Sequence, residues 1–126
     1  MPIGFDEIQL EKLPVGKIVA LKFRGKVSKA DYEEFVPQIE YLMKGDAKIR
    51  LLIELHDFEG WTAGAMWEDT KFAARHFNDI ERLAVVGEAR WERSMTTFIK
   101  AFTMAAVKYF DMQNVDQAHQ WIREKE

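Results

Sequence analysis

The sequence contains no cysteine, which excludes disulfides, thiolate catalysis and Cys-ligated zinc. Proline and glycine are sparse, three and seven among 126 residues, and they fall singly, as punctuation between elements. There is no linker, low-complexity tract or internal repeat, so the chain reads as one domain, long enough to bury a core. No run of 18 or more apolar residues exists, so no segment reads as a membrane span. The opening MPIGFDEIQLEK has no basic stretch leading into an apolar one, so no secretory leader is legible. A cytoplasmic location, at most peripheral to the inner face of the membrane, is the expectation. An excess of basic charge is also missing. Lys and Arg number 18 against 21 Asp and Glu, which argues against a nucleic-acid partner.

What is present is a regular alternation of strand and helix signals. IQLEKL, the turn candidate PVGK and IVALKFR predict a leading β-hairpin. Ser28 opens a helix, with Asp31 three residues on as a capping box. Tyr32, Phe35, Val36, Ile39, Leu42 and Met43 share one face of it, and Lys29, Glu33, Glu40 and Lys44 the other. Pro37 predicts a kink or split, and Gly45 a stop. A strand over 49–55 follows, then a helix from Ala63 to Asn78 with Thr62 as N-cap. LAVVG at 83–87 reads as a short buried parallel strand. A long helix from Trp91 to about Phe110 is predicted next, then a short extended piece near Met112. Asp116 is read as the cap of a last helix with Ala118, Trp121 and Ile122 on its inner side. The order predicts an α/β fold with a mostly parallel sheet of four or five strands, a leading hairpin and about four covering helices.

Three runs then carry a family resemblance: KIRLLIELHDFEGW (48–61), DTKFAARHFNDIERLAVVGEARW (69–91) and KYFDMQNVDQAHQWI (108–122). Together they resemble the SpoIIAA-like family of STAS-type domains over essentially the whole chain. The resemblance implies a STAS-like sheet with a leading hairpin and packed helices, and a non-enzymatic role. It implies a small module that binds ligands or associates with membrane, reminiscent of the CRAL-TRIO lipid carriers. Anti-sigma-factor antagonists carry an Asp-Ser pair at the start of the second helix, where the serine is phosphorylated. The matching stretch here is GWTAG, and Thr62 is the one hydroxyl near it, hence the candidate phospho-acceptor. At a helix start its ordinary role is an N-cap.

In open α/β sheets ligands bind beyond the carboxyl ends of the strands. Three loops meet that description: 25–28, 56–62 and 87–91. They gather Lys26, His56, Asp57, Glu59, Thr62, Glu88 and Arg90 with Phe58, Trp61 and Trp91. His56, Asp57 and Glu59 have the types needed for acid/base work, but neighbours on a strand end point to opposite faces. No Ser or Cys stands in a nucleophile setting, so catalytic residues are not assigned. His56, His76 and His119 lie on three different elements without metal-ligand spacing, and glycines 60, 64 and 87 form no phosphate loop. No metal and no cofactor are therefore expected.

The apolar surface is the informative feature. On the second helix Met66, Thr70, Ala73, Ala74 and Phe77 form the expected inward stripe, with Trp67 at its margin and Phe72 on the far side. On the third, Trp91, Met95, Phe98, Phe102, Ala105 and Tyr109 form another, with Arg93, Lys100, Lys108, Met104 and Val107 opposite. Flexible Met among rigid aromatics suits an adaptable apolar groove, and cations opposite aromatics suit a lipid interface. The expectation is a module that takes a nonpolar small molecule or lipid, or docks peripherally on membrane. The contacts are Phe58, Trp61, Met66, Trp67, Phe72, Trp91, Met95, Phe98 and Phe102. A homodimer interface uses the same residue types and stands nearly level with the groove. A protein-binding module switched at Thr62 is the regulatory alternative.

Overall fold

Along the second strand of the sheet, Val19, Leu21 and Phe23 pack into one apolar cluster while Ile18 and Ala20 pack into another. Successive strand side chains point to opposite faces, so a strand apolar at consecutive positions must be covered on both sides. A computed structural model of the chain describes residues 5–12, 17–42, 48–76, 79–91 and 106–124. Its elements are β1 (Phe5–Lys12), β2 (Lys17–Val27), α1 (Lys29–Leu42), β3 (Ile49–Trp61), α2 (Ala63–Arg75), β4 (Ile80–Gly87), β5 (Ala106–Asp111) and α3 (Val115–Arg123). The strands lie in the order β1-β2-β3-β4-β5. β1 pairs antiparallel with β2 as the leading hairpin, and β2 to β5 are parallel. This is the expected α/β fold, with three α-helices among the described residues.

One face carries the larger core. Leu51 and Leu55 of β3 and Leu83 and Val85 of β4 meet Tyr32, Phe35, Val36 and Ile39 of α1, and Ala65 and Phe72 of α2. The capping box at α1 is formed: Asp31 Oδ2 accepts from the Ser28 backbone N–H at 2.7 Å. Pro37 sits exposed inside α1, which runs on as one helix instead of splitting. The opposite face is covered by α3, through Ala118 and Ile122 on Leu52, Ala84, Val86 and Phe110.

Polar groups fix α3 in place. Arg50 is buried on β3, donating to Ile122 O at 2.8 Å and Glu124 O at 2.6 Å and pairing with Glu81 at 3.2 Å. Arg82 of β4 donates to Trp121 O at 2.7 Å. Both cations thus sit at the C-terminus of α3, where its last carbonyls lack helical partners and its dipole favours positive charge.

Further sequence expectations change. The second helix ends at Arg75, with His76 as C-cap, not at Asn78. The third was expected to reach Phe110, but Ala106–Asp111 is strand β5, pairing with β4 from Arg82 to Gly87. Val107 fell outside the apolar stripe of that helix because here the backbone has the two-residue period: Val107 and Tyr109 face the larger core, Phe110 the smaller. The piece near Met112 is a 3₁₀ turn, capped by Asp111, whose carboxylate accepts from Gln113 N–H. The last helix starts at Val115, so Asp116 lies in its first turn instead of capping it. The turn at 13–16 and the predicted stop at Gly45 lie outside the described residues, as do 92–105 with Met95, Phe98, Phe102 and Met104.

Replacing Arg50 by Ala leaves the α3 carbonyls unsatisfied over a buried site. Urea unfolding should show a loss on the order of 3 kcal/mol. A change under about 0.5 kcal/mol, the range of ordinary surface substitutions, would contradict this role.

Candidate functional site

The stretch that follows the apolar part of β3 remains strand through Trp61, but its pairing with β2 slips. Arg24 pairs with His56 and Lys26 with Gly60, so Asp57, Phe58 and Glu59 stand opposite Gly25 alone. The excursion needs left-handed backbone at Gly25 (φ 73°), Asp57 (φ 49°) and Gly60 (φ 107°). Glycine takes such angles freely, and Asp tolerates the first of the β3 pair. The result turns Phe58 inward, where it is 1% exposed. Its ring meets Trp61 and Trp91 edge-on at 4.9 and 5.0 Å. The aromatic content of HDFEGW is thus largely the interior of a bulge.

Thr62 then starts α2 as predicted: its Oγ1 accepts from Ala65 N–H at 3.1 Å, and its own N–H donates to Val27 O. The helix is turned differently from expectation. Ala65 and Phe72 are buried, whereas Met66 and Trp67 are 41% and 62% exposed and Ala74 is exposed. The inward face runs through Ala65, Asp69, Phe72 and His76, positions spaced to stack on one side of a helix. Two of the four are polar, and each has a reason to face inward. Tyr32 O–H donates to Asp69 Oδ1 at 2.9 Å. His76 lies against the Phe72 ring at 4.6 Å, with Nε2 2.8 Å from Glu40 and Nδ1 2.8 Å from Asp79. Arg75 also pairs with Glu40, at 3.4 Å. α2 is therefore tied by polar groups to α1, and reaches the sheet chiefly through Ala65 and Phe72.

Between these helices and the sheet lies a cavity of about 90 Å³. The sheet walls it with side chains such as Leu21, Leu51, Ile53 and Leu83, and the helices with Tyr32, Phe35, Ile39, Asp69, Phe72 and His76. Trp61 closes one side. Trp61 stands beside Tyr32, whose hydroxyl in turn bonds to Asp69. Burial pushes the Asp69 carboxyl up to about 6, opposed by the bond from Tyr32. Burial, and then the nearby Asp69 charge, hold the Tyr32 phenol well above its ordinary value. Among the described residues Tyr32 is the one hydrogen-bond donor to Asp69.

Of the proposed contacts, Trp61 and Phe72 line this cavity, Phe58 and Trp91 pack together behind Trp61, and Met66 and Trp67 face outward. The expectation that Phe72 lies outside and Met66 inside is reversed. Periodicity of apolar residues alone put the stripe about one position off, because it did not count Asp69 and His76 as inward. Tyr32, on the apolar face of α1, was the available signal: a buried phenol needs a partner for its hydroxyl.

The polar trio at the end of β3 diverges. His56 Nε2 is 3.0 Å from Glu54 on the α3 side of the sheet, while Asp57 is exposed beside Arg24 at 3.4 Å. Glu59 is exposed, and none of His56, Asp57 and Glu59 bonds to another among the described residues. His119, expected to stand apart, joins His56 through Glu54, 3.3 Å from its second oxygen. No group of three or more His, Asp and Glu among the described residues has an arrangement able to hold a metal.

Comparison with known proteins agrees with this architecture. The SpoIIAA-like family model matches residues 18–123. The chain is also similar to a crystal structure of an uncharacterised DUF3478-family protein with a SpoIIAA-like fold from Shewanella loihica PV-4. The two share 26% identity over 95% of this chain and 94% of that one, with a TM-score of 0.79. No curated protein matches.

Asp69 generates a pH prediction. Its folded pKa of about 6 lies above the unfolded value of 3.8, so the native state binds the extra proton between them. Stability then falls as pH rises across that window, and the full cost, on the order of 2–3 kcal/mol, applies above it. Asp69→Asn keeps an acceptor for Tyr32 and removes the charge. Thermal unfolding should show the variant more stable than wild type at pH 8 and nearly equal at pH 4. A variant less stable at pH 8 would contradict the half-buried, weakly compensated carboxylate.

Proposed function

The chain belongs to the SpoIIAA-like family, and from that premise we propose that it is a non-enzymatic binding module for a nonpolar ligand, with the space under α2 as its site. The observation that carries this reading is the cavity, enclosed by apolar side chains of β2, β3 and β4 and by the α1–α2 pair. A SpoIIAA-like fold fits a regulatory or binding module and is usually not that of an enzyme.

At about 90 Å³ the cavity is smaller than the roughly 300–1,000 Å³ of pockets for drug-sized ligands. A ligand with an acyl chain therefore requires α2 to move. The construction favours such a motion: among the described residues α2 meets the core with the apolar side chains Ala65 and Phe72, and it is tied to α1 by polar bonds that water can replace. Its outer surface presents Met66 and Trp67, with Lys71, which pairs with Glu68 at 2.7 Å, along the helix and Lys29 of α1 near its start. A large aromatic and a Met beside cations suit contact with an anionic lipid surface, and a helix drawn toward lipid would uncover the space beneath it. No helix among the described residues is long and apolar enough to cross a membrane, so this contact is peripheral. The same exposed pair, with Tyr41 at the end of α1, also suits a second copy of the chain, which is the alternative.

Two experiments separate these outcomes. Native mass spectrometry of freshly purified protein should retain a nonpolar ligand, and Leu83→Trp, which fills the cavity, should lose it. Co-sedimentation with vesicles containing phosphatidylglycerol should fall several-fold on replacing both Met66 and Trp67 by Ala, with folding stability little changed because both are exposed. Absence of both ligand and vesicle binding, with dimers that the double substitution splits, would replace this reading by the interaction one.

A further inference from the structure

Asp69 is an odd wall for a purely nonpolar site. Its carboxyl stands between apolar helices and sheet, and accepts one described hydrogen bond where a carboxylate can accept about four. Nothing in the packing requires the charge, since Asn would offer Tyr32 the same acceptor. A group costlier to the fold than its isostere, facing an enclosed space, is placed for what enters that space.

The other charged and titratable groups around the cavity do not neutralise it. From α1, Tyr32 donates a hydrogen bond, Asp31 lies behind it, and Glu40 is turned to His76 and Arg75. From α2, His76 has both ring nitrogens on carboxylates, Glu40 and Asp79, and so is not directed at Asp69. From β2, β3 and β4 the cavity receives apolar side chains and the Trp61 ring, none of them charged.

We infer that the site takes an amphipathic amine, with its apolar body among Phe35, Leu51, Phe72 and Leu83 and its ammonium head on Asp69. The inference rests on the nonpolar-ligand reading and narrows it to a ligand class. An ammonium offers the carboxylate a charge-assisted hydrogen bond, about twice as strong as one from a neutral hydroxyl. The aromatic rings of Tyr32, Phe35 and Phe72 favour a cation over an anion. A carboxylate-headed lipid would instead meet like charge.

The test is a methyl-NMR titration of the full chain at pH 7.5 with n-butylamine and n-butanol, which match in apolar length and enter a small cavity. Butanol tests the nonpolar site and the amine tests its head. Wild type should bind the amine about tenfold more tightly than the alcohol, with shifts at Leu51 and Leu83. Asp69→Asn should bring the two affinities together by weakening the amine, leaving butanol unchanged. Glu33→Gln, which removes an exposed carboxylate of α1 away from the cavity, should retain the preference. Equal affinities in wild type, a preference that survives Asp69→Asn, or one lost equally in Glu33→Gln would overturn the amine inference and leave the nonpolar site standing. Binding of neither compound would overturn both.

Discussion

The hydrogen bond from Tyr32 to Asp69 is the constraint on which the site depends. It decides which face of α2 looks inward, because Asp69 can turn toward the core only where a buried donor meets it. With Asp69 inside, Phe72 and His76 follow at helical spacing, and Met66 and Trp67 are left outside. It also explains why space remains beneath the helix. A carboxylate and an imidazole hold α2 to its neighbouring helix by directional bonds, and a helix placed by such bonds need not settle onto the sheet as an apolar face would.

The two faces of the sheet contrast on this point. On the far face, Arg50 and Arg82 hold α3 by its terminal carbonyls, and Ala118 and Ile122 are buried against the strands. On the near face, the polar contacts join helix to helix, and the apolar contacts with the strands leave a cavity. One side is built as fixed scaffold, and the other keeps room to rearrange. A binding module requires both, since a ligand shifts a conformational equilibrium only where the alternative state is within a few kcal/mol.

Much of the fold was legible because its inner strands carry apolar runs and its helix starts carry capping residues. Ser28 with Asp31, Thr62, and the run Leu83–Gly87 all do what local chemistry dictates. The failures share a cause. Val107 to Phe110 was assigned by helical period when the chain had already turned to strand, and a six-residue segment is too short for period alone to decide. The length of β3 was missed because HDFEGW reads as a turn, whereas Asp57 and Gly60 make a bulge that continues the strand and buries Phe58. Of the residues lining the cavity, Trp61 and Phe72 were singled out for apolar excess, but Asp69 was not. Its burial follows from Tyr32 across 37 positions of sequence, a pairing no local pattern reveals.

If the space between α2 and the sheet is a binding site, it admits an apolar guest. Xenon, which enters dry apolar cavities without chemical preference, tests it most directly. Crystals of the protein pressurised with xenon should show the strongest anomalous peak enclosed by Phe35, Leu51, Phe72 and Leu83. A structure with α2 packed flat on the strands and no peak there would contradict the account.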